Sequence, residues 1–327
     1  MIEVREVTKH YGNKTAVDGL SFSVSKGEIL GFLGPNGAGK TTTMRMITGL
    51  IPPTSGMVTV DGLNVTENPV EASRLIGYLP EDAPFYPEMT VAEFLDFMGA
   101  MKEIPGKERA REIDRVITQL ELGPVYRRLV GNCSLGYRHR IGLAHALLGD
   151  PEVLILDEPT AGLDPRQRIE IRDLIRAMAG RRTVILSSHV LPEVQQTCER
   201  VVIINEGRLV AEDTPSGLAV RLRGQSALRL QVAAPASEVA GVLSGISGIA
   251  ELKRESSEGT DEAPVFSVEM EPNRDLREDI FFRLAEAGYP ILEMTPVGFS
   301  LEEIFLRLTT EDPTQPERDP QAGVISR

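Results

Sequence analysis

At 327 residues, with 48 acidic against 35 basic side chains, the chain carries a formal charge of −13 and is long enough for two folded units. The acidic balance speaks against general adhesion to nucleic acid or to anionic lipid. No apolar run is long enough to cross a bilayer and no secretory leader opens the chain. The two cysteines, Cys133 and Cys198, are too few for a disulfide framework and fit a reducing cytosol, so any attachment to a membrane is expected to run through a protein partner.

Residues 2–33 alternate as strands do and predict an antiparallel layer, ending in the short apolar strand Glu28 to Leu33. GPNGAGKT follows, Gly34 to Thr41, matching the phosphate-binding pattern G-x-x-x-x-G-K-[ST]. A phosphate chain needs several backbone N–H groups pointing inward, and glycines at 34, 37 and 39 let the main chain approach without a Cβ in the way. Lys40 then supplies a charge for the β- and γ-phosphates, and the Thr41 hydroxyl suits Mg2+. TTTMRMITGL reads as a helix whose N-terminus favours the anion.

Strands are predicted at 57–61 and 75–80. Helices are predicted at Thr90 to Lys102, at Lys107 to Leu122 (closed by Gly123) and from Ser134 onward, together forming a small helical lobe over about 88–145. The stripe Phe94, Phe97, Met98 and Met101 reads as packing inside that lobe, with a docking face as the competing reading. Parallel β/α units return over 151–200, with Asn205-Glu206-Gly207 as a hairpin turn. Within them VLILDE, Val153 to Glu158, is a buried-type strand ending in two carboxylates. Taken alone, that pair also fits a solvated strand end before a proline turn. Beside a phosphate-binding loop, Asp157 is placed to hold Mg2+ through water and Glu158 to orient or deprotonate the attacking water.

After residue 222 the pattern changes. SALRLQVAA, PASEVAGVLSGI, IAELKRE, APVFSVEME, NRDLREDIFFRLAEAG and PILEMTPVG read as βαββαβ, a small α+β ferredoxin-like domain over 226–310. SLEEIFLRLT reads as its closing helix, and 311–327 as a disordered tail rich in Pro, Asp, Glu and Gln.

The order and spacing of the motifs over residues 1–222 resemble the ATP-binding cassette (ABC) ATPases, the ATP-binding subunits of ABC transporters. The resemblance implies a P-loop NTPase α/β fold: an antiparallel β layer, a mixed core sheet and a helical subdomain. It places Tyr11 on the adenine ring. It makes Gly34, Pro35, Asn36, Gly37, Ala38, Gly39, Lys40, Thr41 and Thr42 the Walker A loop, Asp157 the Walker B carboxylate and Glu158 the catalytic base. Ala161 to Asp164 correspond to the D-loop that communicates between two subunits, and His189 in LSSH to the switch histidine at the γ-phosphate.

Two positions depart from the family pattern. The signature is Cys133-Ser134-Leu135-Gly136-Tyr137 in place of LSGGQ. It keeps Ser134 and Gly136, which can bind a γ-phosphate from a neighbouring subunit at a helix N-terminus. Glu81 stands where a glutamine usually coordinates Mg2+, and would hold the ion more strongly while repelling a hydroxide-like nucleophile. Both departures resemble a subgroup of gliding-motility and multidrug-type export ATPases.

The resemblance thus implies an ATP- and Mg2+-dependent ATPase working as a head-to-tail ATP-sandwich dimer. It would drive separate transmembrane permease subunits, most often in export, and sit in the cytoplasm on the inner face of the cell membrane. The segment after Glu81, Ala83 to Thr90, is the docking candidate. The competing reading is a soluble ABC ATPase acting on DNA or ribosomes. The segment between Thr42 and Ser134 is too short for the coiled-coil insertion of the DNA-type relatives, and one cassette is present where the ribosome type has two.

Overall fold

In a computed structural model, residues 1–215, 217–218, 227–271 and 274–297 are described. The predicted closing helix at 300–309 and the tail at 311–327 lie outside the described residues. The chain divides between 215 and 216 into two compact units.

The first unit has two sheets. β1 (Ile2–Tyr11), β2 (Lys14–Val24), β4 (Ser55–Val60) and β5 (Leu63–Asn64) form an antiparallel layer in the order β2-β1-β4-β5. The second sheet contains β3 (Ile29–Leu33), β6 (Ile76–Leu79), β7 (Val153–Asp157), β8 (Thr183–Ser188), β9 (Arg200–Asn205) and β10 (Arg208–Asp213), in the order β10-β9-β3-β8-β7-β6. Only the β9–β10 hairpin pair is antiparallel. The runs ILGFL, VLILD and TVILSS are buried at every position, as strands of a sheet covered on both faces must be. Val4, Val17 and Phe22 of the outer layer join Phe32, Ile155 and Val202 of the central sheet in one core. There the Phe22 and Phe32 ring centroids lie 5.3 Å apart.

Register does the positioning. Leu33 pairs with Ser188, and Asp157 with Ser187. The loop after β3, the carboxylates ending β7 and the histidine after β8 therefore come out at one edge of the sheet, the place where parallel α/β sheets put ligands. α1 (Lys40–Ile47) begins at that edge.

The helical lobe holds α3 (Val91–Met101), α4 (Gly106–Gln119) and α5 (Leu135–Leu147). Thr90 and Glu93 close a capping box at the start of α3, and the two hydrogen bonds from Thr90 keep the Glu93 carboxyl below its ordinary range. At the far end of α5 the Lys102 ammonium donates to the carbonyls of His145 at 3.1 Å, Ala146 at 3.4 Å and Leu148 at 2.8 Å. Burial lowers that ammonium to about 8 and the neighbouring His145 to about 4.

The lobe differs from expectation in three places. α2 (Pro69–Leu75) precedes β6 and has no counterpart in the sequence reading. α4 ends at Gln119, because Glu121 turns left-handed at φ 55°, and Gly123 opens a 3-10 turn instead of closing the helix. Of the predicted packing stripe only Phe94 is buried. Phe97 lies off the inner face that Val91, Leu95 and Gly99 form with Phe94, and Met101 is exposed as the last residue of the helix.

The second unit runs β11 (Ala227–Val232), α8 (Ala236–Ser244), β12 (Ile249–Gly259), β13 (Pro264–Met270), α9 (Arg277–Glu286) and β14 (Ile291–Val297). Its sheet order is β12-β13-β11-β14 with every pairing antiparallel, which is the split βαβ arrangement. Leu228, Leu230, Phe266 and Val268 of the sheet pack with Val239 and Leu243 of α8 and with Ile280 and Leu284 of α9.

Two further helices complete the first unit: α6 (Pro165–Arg176) after the carboxylates and α7 (Leu191–Thr197) after His189.

Candidate active site

The phosphate loop is built by exclusion of side chains. A Cβ at Gly34 would sit 2.6 Å from the Ile204 carbonyl oxygen. Gly39, at φ 104°, would place one 2.5 Å from that of Ala16. Both atoms are backbone and cannot give way, so these positions admit only glycine. The loop is propped by two bonds, Ala38 N–H to Pro35 O at 3.2 Å and Gly207 N–H to Ala38 O at 3.0 Å. Asn36 and Gly37 are exposed, and Gly39 caps α1 without any side-chain bond. The first amides of α1 are thereby left for an anion. The Thr43 hydroxyl turns back to Gly39 O at 2.9 Å, while Thr41 and Thr42 stay partly exposed.

Lys40 folds over this loop. Its Nζ donates to Gly34 O at 2.8 Å and to Pro35 O at 3.4 Å, and lies 3.5 Å from Glu158 Oε1. Both side chains of that ion pair are only 7% exposed. The other Glu158 oxygen, Oε2, is 2.9 Å from His189 Nδ1. Glu158 has φ 49°, in the left-handed region that a side chain with a Cβ avoids. This backbone turn carries the carboxylate off the line of β7, to where Lys40 and His189 grip it.

Beside it, Asp157 is fully buried. Its Oδ1 accepts from the Ser187 hydroxyl at 2.5 Å, and its Oδ2 has no hydrogen-bond partner. A buried carboxylate oxygen without a donor is a costly arrangement unless something else binds there. Among the described residues no cluster of three or more His, Cys, Asp or Glu could hold a metal. A cation here would therefore draw on the Thr41 hydroxyl, phosphate oxygens and water as well as on Asp157. Tyr78 on β6 is also affected: burial, with Asp157's charge second, pushes its hydroxyl up to about 12.

Glu81 is exposed on the loop after β6 and lines a cavity of about 200 Å3 with Asp157, Glu158, Phe85, Leu135, Arg138 and His139. Of the signature, only Leu135 is gathered with them. Ser134 and Gly136 line a separate depression with Tyr137, Arg140 and Gln167. Ser134 caps α5 by accepting from the Tyr137 N–H at 3.4 Å, and a Cβ at Gly136 would meet the Gln167 side chain at 3.0 Å. The Asp164 carboxylate accepts from the Gln167 N–H at 2.9 Å and so caps α6. Tyr11, half exposed, ends β1 with the Lys9 ammonium 5.4 Å from its ring centroid. Sequence reasoning passed over Ser187. Its one signal was a pair of hydroxyls closing the otherwise apolar strand TVILSS.

Residues 17–161 match the family described as ABC transporter. The bacitracin transport ATP-binding protein BcrA of Bacillus licheniformis is 45% identical over 214 residues, covering 65% of this chain and 69% of that protein. The chain belongs to the ABC transporter ATP-binding proteins. Similarity to this ABC family extends past the first unit. The Nod factor export ATP-binding protein I of Rhizobium meliloti is 36% identical over 314 residues, covering 94% of this chain and 88% of that protein. A solved ATP-binding subunit of an ABC transporter superimposes with a TM-score of 0.62 at 26% identity, over 68% of this chain and 93% of that one. The ABC protein described here is thus an ATPase that binds ATP and serves a membrane transporter.

Proposed function

We propose that this ATPase powers an exporter. In this reading, two copies meet head to tail, and each ATP is bound between the Walker A loop of one copy and Ser134 and Gly136 of the other. The observation that supports the pairing is the division of the site. Glu158 contacts both Lys40 and His189, while Ser134 and Gly136 open into a depression of their own. The name of one relative, the Nod factor export ATP-binding protein I, supports the direction of transport.

Each predicted residue has a place in this scheme. The exposed face of Tyr11 stacks on the base. The backbone from Gly34 to Thr42 and the Lys40 ammonium take the phosphates, so Lys40 exchanges part of its contact with Glu158 for the incoming anion. Glu158, released on that side and still bonded to His189, accepts the proton of the attacking water, and His189 remains positioned at the γ-phosphate. Asp164 stays at the α6 cap, where the loop from Ala161 faces the other subunit. Thr41, Asp157 and Glu81 would hold Mg2+, which when bound supplies charge for the phosphate oxygens.

The permease partner docks on the segment Ala83 to Thr90. Tyr86 is exposed there and packs edge-on against the outward-facing Phe97, centroids 5.5 Å apart, a small aromatic surface of the kind partners cover. Among the described residues no helix is long and apolar enough to cross a membrane, so the ATPase is peripheral and held by its permease. Glu158→Gln tests the pairing: it binds ATP and accumulates as a dimer in light scattering. A monomer at saturating ATP refutes the sandwich.

A further inference from the structure

The carboxylate of Asp157 and the backbone N–H of Glu158 share a single hydroxyl. Ser187 is fully buried on β8, directly opposite Asp157 in the parallel register. Its Oγ donates to Asp157 Oδ1 at 2.5 Å and accepts the N–H of Glu158 at 3.0 Å. A serine hydroxyl has one proton to give, and here it goes to Asp157. From this bridge we infer that Ser187 is a positioning residue for hydrolysis, fixing which oxygen of Asp157 stays open and where the Glu158 carboxylate points. The inference rests on the roles proposed above for Asp157 and Glu158.

Two consequences follow from the geometry. The bond from Ser187 to Oδ1 favours one orientation of the Asp157 carboxylate, and Oδ2 is its one oxygen without a partner. That is the oxygen left for cation-bound water. The second consequence concerns the backbone. The Glu158 N–H is tied to Ser187, to its Oγ at 3.0 Å and to its carbonyl oxygen at 3.3 Å, just where the chain turns left-handed, φ 49°. That turn delivers the Glu158 side chain to Lys40 and His189. Only the shorter of the two bonds depends on the hydroxyl. Strained backbone of this kind persists only where surrounding bonds over-determine it. The adjacent Ser188 does something else: its Oγ accepts from the Val190 N–H at 2.9 Å and shapes the turn bearing His189. The two serines are therefore not interchangeable.

Outer partners of ligating and catalytic carboxylates typically alter affinity or activity by about 10- to 100-fold when removed. The test uses the full chain as Ser187→Ala and Ser187→Thr, with ATP affinity measured in EDTA and in Mg2+, and kcat measured separately. Ser187→Ala is expected to bind ATP in EDTA within about twofold of wild type. The affinity gained on adding Mg2+ should shrink about tenfold, and kcat should fall about 10- to 100-fold. Ser187→Thr, which keeps the hydroxyl, should recover both. A Ser187→Ala protein with wild-type kcat and wild-type Mg2+ gain overturns the inference. So does a threonine variant as impaired as the alanine one while both melt at the wild-type temperature. Should the alanine variant not fold, Ser187→Cys keeps the shape with a weaker donor; a kcat at least about fivefold below wild type supports the bridge, and an unchanged kcat refutes it. Glu158→Gln, assayed alongside, separates the two levels. If it is inactive while Ser187→Ala is normal, only the positioning role fails; if Glu158→Gln hydrolyses ATP normally, the reading beneath it fails.

Discussion

The C-terminal edge of the central sheet and the N-terminus of α5 are prepared to different degrees. At the sheet edge Lys40, Asp157 and Glu158 are each less than a tenth exposed, and hydrogen bonds and ion pairs within the chain already hold all three. At the start of α5 the Ser134 hydroxyl takes one long bond and Leu135 is 42% exposed. The other end of that same helix is closed by Lys102 and by the buried His145. Groups that do chemistry within one chain are preorganised by that chain, because misplacing them is costly in rate. Groups that wait for another copy are left open, and only the helix that carries them is anchored.

Four measurements would break or sharpen this contrast. The largest effect belongs to the preorganised side: Glu158→Gln should lower kcat by about 10²- to 10⁴-fold with KM little changed, since it removes the proton acceptor and leaves Lys40 and the loop in place. The anchor of α5 gives the next. His145 is held near 4 by burial, with the Lys102 charge adding to the effect, whereas an exposed histidine titrates near 6.5. Above pH 6.5 neither the folded nor the unfolded chain binds this proton, and stability is full. As pH falls toward 4 the unfolded chain takes it up first, so stability is lost, on the order of 2 kcal/mol between pH 7 and 5 from this one group. Urea unfolding of wild type against His145→Phe at the two pH values should show the mutant losing less; equal losses would place the proton elsewhere. On the open side, Ser134→Ala should cost the fold only about 0.5 kcal/mol, given the weak cap, yet slow hydrolysis about tenfold through loss of a phosphate contact. The smallest effect is expected at Glu81: with glutamine there, ATP binding stays intact and kcat changes no more than about threefold, because the amide carbonyl still offers the ion an oxygen.

The parts of this site legible in the sequence are those whose chemistry is local. GPNGAGKT announces itself because a phosphate cradle needs glycines at fixed offsets, and Asp157-Glu158 because a strand of five buried residues ends in charge. Ser187 was not legible: its role exists only once β7 and β8 are in register. The left-handed Glu158 was hidden for the same reason, since nothing in DEPT forces a positive φ without the Ser187 and Lys40 contacts. Spacing alone did not settle the α3 stripe: Phe97 falls off the inner face marked by small, buried Gly99, and Met101, on nearly the same side as Phe94, is exposed because the helix ends there. The strand alternation after 226 was enough for the βαββαβ order. It says nothing of what that unit binds, and its described residues form no cluster of three or more His, Cys, Asp or Glu that could hold a metal.

Complementation tests the division of the site most directly. A Lys40→Ala chain has an intact signature, and a Ser134→Arg chain has an intact phosphate loop; each alone should hydrolyse ATP at background rate. Mixed, they form one composite site with wild-type Lys40 from one copy and wild-type Ser134 from the other, and activity should return to a substantial fraction of wild type. A mixture no more active than its two components would contradict a site shared between subunits.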